Sequence, residues 1–111
     1  MSKRVTSLLL RDIIECSEKI LSYTNGMTLE QFVQDSKTMD AVVRNLEVIG
    51  EAANRLPTEI KEKYSEIDWQ RIRGLRNRIV HDYFGIDYLI VWQIRESYLQ
   101  NLINSLGKIQ E

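Results

Sequence analysis

An all-α fold, a compact bundle of four main helices with short helical turns between them, is what the sequence predicts. Three observations predict it. Apolar residues recur at spacings of three and four over long stretches, nothing alternates as a half-buried strand would, and a single proline occurs in 111 residues. The length suits one domain, residues 1–111, with one hydrophobic core, and a hydrophobic content of 43% can fill it.

Residues 3 to 23 form the first expected helix. Val5, Leu9, Ile13, Cys16 and Ile20 make one stripe, and Leu10, Ile14, Ser17 and Leu21 make a second beside it. At about 100° per residue the two stripes cover about half the circumference. A helix that apolar must touch more than one neighbour, either inside the bundle or across a dimer interface. Asn25-Gly26 ends it. Thr28 followed by Gln31 suggests a capping box for the short turn "LEQFVQD".

A second long helix is expected from about residue 37 to 56. Met39, Val42, Val43, Leu46, Ile49 and Ala53 share one face of it, and Arg44, Glu47 and Glu51 share the opposite one. Gly50 at the edge of the apolar face costs roughly 1 kcal/mol against alanine, a cost recovered only if another backbone approaches closely. Pro57 closes the helix, and "TEIKEKYSEID" reads as one or two short turns. Asp68 is placed to cap a third main helix running from Trp69 towards His81. Asp87 can cap the last helix, whose apolar set is Ile90, Val91, Ile94, Tyr98, Leu102 and Leu106, with Gly107 near its end.

Composition narrows the function classes. No apolar run approaches the roughly 18 to 20 residues that span a bilayer, and "MSKRVTSLLLRDIIE" breaks its Leu run with Arg11 and Asp12, unlike a signal peptide. One cysteine, Cys16, makes no intramolecular disulfide and no zinc site, so a cytoplasmic location is expected. Cys16 itself reads as a small buried side chain. The net charge of -1 argues against a nucleic-acid-coating surface. Yet between Asp68 and Asp82 there is no acidic residue, while Arg71, Arg73, Arg76 and Arg78 lie there. A local basic strip on an acidic molecule can receive a phosphate chain at one place.

That strip runs into "RNRIVHDY", residues 76 to 83, which holds the only histidine. On one continuous helix Arg73, Asn77 and His81 line a polar face, whereas Ile72, Leu75 and Ile79 face the core with Trp69 and Val80 flanking. Arg76 then falls in the apolar sector. Its charge calls for a carboxylate such as Glu47 or Glu51, a subunit interface or a ligand anion, unless the stem packs and the head reaches water. Arg76 and His81 would stand about 140° and about 7.5 Å apart on a regular helix. Either that helix distorts or two subunits share a site around a two-fold axis, which motivates a homodimer.

An arginine and a histidine suffice for metal-free RNA cleavage, with no cofactor. Histidine can take the 2'-OH proton or protonate the leaving 5'-oxygen, and arginine can donate to the pentacoordinate phosphorus intermediate. Asn77 can orient the histidine or a phosphate. The structural alternative is a helix end that happens to carry a polar ring. Trp69 and Trp92 read as core residues.

The sequence resembles HEPN-domain proteins, and HepT-like toxins in particular. The R-x4-H-x-Y pattern in "RNRIVHDY" carries the resemblance, together with "RNLEVIGEAANRLP" at 44 to 57, "IDWQRIRGLRNRIVHDY" at 67 to 83 and "GIDYLIVWQI" at 85 to 94, in that order. The resemblance implies a homodimeric, metal-independent endoribonuclease toxin with paired motifs at the dimer cleft. It implies that Arg76 and His81 are catalytic and that Asn77 is the polar residue following the arginine; Arg73 and Arg78 of the basic strip are the residues expected to support RNA phosphates. It further implies an MntA-like nucleotidyltransferase antitoxin that uses ATP and magnesium to place AMP on Tyr83. Two other classes stay open: a non-catalytic, nucleotide-binding HEPN partner of a nucleotidyltransferase, and a plain helical dimerisation domain.

Overall fold

A computed structural model describes residues 2–80 and 85–109. Among them the chain forms helices α1 (Lys3–Tyr23), α2 (Leu29–Val33), α3 (Ser36–Arg55), α4 (Thr58–Lys63), α5 (Trp69–Arg73), α6 (Leu75–Ile79), α7 (Tyr88–Ser97) and α8 (Leu99–Leu106), and no strand. None of these helices is long and apolar enough to cross a membrane.

The starts of these helices follow the local chemistry of the sequence. Ser2 accepts from the Val5 N–H at the head of α1. Thr28 and Gln31 form the full capping box of α2, each side chain bonding the other residue's N–H. Asp35 caps α3 through the Thr38 N–H and Thr38 hydroxyl. Asp68 accepts from the Arg71 N–H at 3.0 Å, and Asp87 from those of Leu89 and Ile90. Each cap satisfies N–H groups that the first helical turn leaves unpaired.

α3 is the centre of the arrangement. It packs against α1, α2, α5 and α6, while α8 packs on α1 and α7. Leu9, Leu10, Ile13, Cys16 and Ile20 of α1 and Val42, Leu46, Ile49 and Ala53 of α3 are buried together. Val5, by contrast, is exposed, so the first stripe of α1 enters the core only from Leu9 onward. Burial raises the pKa of the Cys16 thiol, as expected for a small core side chain. Both tryptophans belong to the core: Trp92 stacks near Phe32 with ring centroids 5.2 Å apart, and the Trp69 indole N–H donates to the Tyr64 carbonyl at 3.0 Å.

Two of the expected long helices are each divided in two. The third breaks at Gly74, which serves both as the end of α5 and as the start of α6 with φ -86° and ψ 4°. Its N–H still bonds the Gln70 carbonyl, but the helical phase restarts after it. α6 also stops at Ile79, where Val80 becomes extended, so the helix does not reach His81. The last helix breaks at Tyr98 (φ -123°, ψ -44°), whose ring lies 4.1 Å from the Arg71 guanidinium. That cation–π contact joins the joint between α7 and α8 to α5.

Candidate active site

The outward face of α3 forms one wall of a cleft. Arg44, Glu47, Glu51 and Asn54 succeed each other at spacings of three, four and three, so they stack along one side of the helix. All four line a cleft of about 540 Å³, whose other wall is made by Gln70, Arg73, Gly74, Arg76 and Asn77. Gly50 sets the distance between the walls. A Cβ at that position would lie 3.2 Å from the Arg73 carbonyl oxygen and 3.5 Å from that of Ile72. Any larger residue forces the end of α5 away, so the close backbone approach expected of Gly50 is realised.

Arg76 donates through Nε to Glu47 Oε2 at 3.2 Å. Of the two carboxylates that the sequence offered as its partner, Glu47 makes the bond, and Glu51 lines the same cleft without pairing to Arg76 among the described residues. The expectation that Arg76 sits in an apolar sector is corrected, because its side chain is 64% exposed. The break at Gly74 is the reason. On α6 alone, Leu75 and Ile79 one turn apart are buried, and Arg76, Asn77 and Arg78 between them point outward.

An ion pair this exposed contributes at most about 1 kcal/mol to stability. Its effect is orientation. Held by Nε, the guanidinium retains the four N–H donors of its terminal nitrogens, and these have no protein partner among the described residues. With Arg44 and Arg73 beside it, and the side-chain amides of Asn54, Gln70 and Asn77 around it, the cleft can receive an anion with directional hydrogen bonds.

The structure therefore brings Arg73, Arg76, Asn77, Glu47 and Glu51 into one cleft. Arg78 is exposed on α6 and is not among the lining residues. The common polar face expected for Arg73 and Asn77 on one helix does not exist, since α5 and α6 are separate; the two residues meet as neighbours across the break. His81 and Tyr83 lie outside the described residues. On either side of them, Val80 pairs with Ile86 in a single antiparallel bridge, and the Asp87 N–H donates to the Ile79 carbonyl at 2.7 Å. Gly85 beside that bridge has φ +82°, a conformation that glycine adopts at little cost.

Sequence reasoning had not assigned Arg44, Asn54 and Gln70 to the site. Arg44 was visible on the same face of α3 as Glu47 and Glu51, and Asn54 continues that spacing. Gln70 gave no signal, because its place depends on how α5 docks.

The family described as Ribonuclease HepT-like matches residues 13–109. A protein of Methanocaldococcus jannaschii named "Putative RNase" is 40% identical over 98% of this chain and 90% of its own length. A second protein of that organism with the same designation is 38% identical over the same shares. One of Thermococcus cleftensis named "Probable ribonuclease HepT" is 34% identical over 92% of this chain and 93% of its own. No solved structure matches the chain. A match that spans most of the sequence, with relatives of similar length, means that the chain belongs to the HepT-like family of ribonucleases.

Proposed function

We propose that the chain is a metal-independent endoribonuclease, acting in the cytoplasm on tRNA or mRNA as the toxin of a type II toxin-antitoxin pair. The observation that carries this reading is the Arg76 guanidinium, tethered by Glu47 in a basic cleft with its terminal donors unpaired among the described residues, five residues before the only histidine of a HepT-like ribonuclease sequence. In this mechanism the 2'-oxygen attacks the adjacent phosphorus and the bond to the 5'-oxygen breaks, leaving a 2',3'-cyclic phosphate. His81 takes the 2'-OH proton or supplies one to the leaving oxygen. Arg76 stabilises the charge that accumulates on the phosphoryl oxygens, Asn77 positions the phosphate, and Arg73 and Arg78 attract the strand.

A homodimer places two copies of the motif in one cleft, which frees the site from the geometry of a single short helix. Control falls to an MntA-like nucleotidyltransferase antitoxin. In that reaction the Tyr83 oxygen attacks the α-phosphate of ATP, pyrophosphate leaves, and AMP remains on the tyrosine. The adduct puts negative charge two residues from His81, where RNA phosphate must bind.

The test is cleavage of purified tRNA and total RNA in excess EDTA by protein made without its partner, with His81→Ala as the control. Cleavage that the variant loses supports the nuclease. An unmodified protein, verified by intact mass, that binds nucleotide and cleaves nothing would instead be the non-catalytic partner module.

A further inference from the structure

A second hollow adjoins the cleft. Lys61 of α4 and Arg73 at the end of α5 line it with Trp69 and Gln70, in a volume of about 250 Å³. Arg73 and Gln70 line both hollows, so the two lie side by side with Arg73 between them. The buried indole of Trp69 is committed to the Tyr64 carbonyl and forms an apolar floor rather than a stacking platform.

Among the described residues no carboxylate lines this second hollow, and neither Lys61 nor Arg73 has an ion-pair partner. The two cations are close enough to repel: the Lys61 ammonium has its pKa lowered by partial burial first and by Arg73 second. Two like charges sharing a concavity cost stability unless an anion occupies it. A groove of cations that tracks from one hollow to the next is also how single-stranded nucleic acid is held by its backbone.

We propose that Lys61 and Arg73 form a second phosphate subsite, which takes an RNA phosphodiester flanking the one held at Arg76. The subsite rests on the ribonuclease reading and extends it: the strand runs from the Arg76 cleft past Arg73 to α4, and a substrate too short to reach Lys61 gains nothing from it. Lys61 acts on substrate affinity and not on the chemical step.

The test compares the wild type with Lys61→Gln and Lys61→Arg. Binding is measured with a labelled, uncleavable 2'-O-methyl RNA 12-mer and with AMP, across a salt series, and cleavage with a long RNA and a dinucleotide. Lys61→Gln is expected to weaken 12-mer binding about tenfold and to reduce the slope of log K against log salt by about 0.7, the loss of one single-strand phosphate contact. KM for the long RNA rises with kcat unchanged, the dinucleotide is cleaved as before, and Lys61→Arg restores binding.

A wild type that cleaves, with Lys61→Gln showing the same affinity and salt slope, overturns the subsite and leaves the nuclease standing. Binding that changes as expected in a protein that never cleaves, its intact mass showing no modification, supports the subsite and overturns the nuclease. Equal weakening for AMP and the 12-mer assigns the hollow to a mononucleotide and overturns the proposal, as does a wild type that binds no RNA.

Discussion

At the corner where α7 meets the end of α1, Arg95 donates through Nε to the Thr24 hydroxyl at 2.7 Å and through Nη2 to the Thr24 carbonyl, pairs through Nη1 with Glu96, and lies 5.2 Å from the Trp92 ring. In the cleft, Arg76 bonds Glu47 alone among the described residues, through Nε. The exposures of the two side chains, 20% and 64%, follow the same division. Thr24 is fully buried and donates its own hydroxyl to the Ile20 carbonyl, so Arg95 completes a closed network, whereas the terminal nitrogens of Arg76 have no partner among the described residues. The contrast separates an arginine that holds the fold from one whose donors are available to the proposed substrate, on hydrogen-bond accounting alone.

The contrast breaks most sharply under truncation. Arg76→Ala is expected to lower RNA cleavage by at least about 100-fold while its melting temperature stays close to that of the wild type, measured by initial rates and by thermal melting. Arg95→Ala should do the reverse. Losing its bonds to Thr24 and its contact with Trp92 costs about 2 to 3 kcal/mol, read as a lower denaturant midpoint, with cleavage at low temperature within about twofold of the wild type. If Arg95→Ala removes activity from a protein that remains folded, the division between the two regions is wrong.

Smaller effects sharpen it. Gly50→Ala gains about 1 kcal/mol of helix propensity, but its methyl group presses on the Arg73 carbonyl. The expected result is cleavage reduced several-fold with little change in melting temperature, because the displaced backbone is the cleft wall and the helix gain offsets the contact. On the packed side, the Cys16 thiol should react with a thiol reagent far more slowly in the native protein than in denaturant. Its pKa is raised in the folded state, so the thiol's contribution to stability is whole below the ordinary thiol range and declines as pH rises towards the raised value. A series of denaturant midpoints through the alkaline range checks that sign.

The two glycines of the site show where the sequence is legible and where it is not. Gly50 and Gly74 both interrupt helical apolar patterns, and both look locally alike. Gly50 stays helical because α5 packs over it; Gly74 becomes a joint because it lies between two segments that dock on α3 separately. That difference is tertiary, and no window of residues contains it. For the same reason Arg76 was placed on the wrong face although its partner Glu47 was among the candidates. The long periodic helices and the caps at Thr28, Asp68 and Asp87 were readable because each depends on residues within a few positions. The pairing of Lys61 with Arg73 was not, since it depends on α4 and α5 being set side by side.

The joint at Gly74 also governs how the cleft comes into being. α5 and α6 have five residues each, far fewer than the roughly 12 to 15 at which an isolated helix becomes marginally stable in water. Neither holds its shape alone, and both borrow their order from α3. Assembly of the cleft wall is therefore a sub-global step, with its own opening free energy below that of the α1 and α3 core. If the cleft binds RNA as proposed, a strand held only by the assembled wall stabilises it by mass action. Amide hydrogens of residues 75–79 should then exchange faster than those of the central turns of α3 in the free protein, and slow towards them as the strand saturates the site.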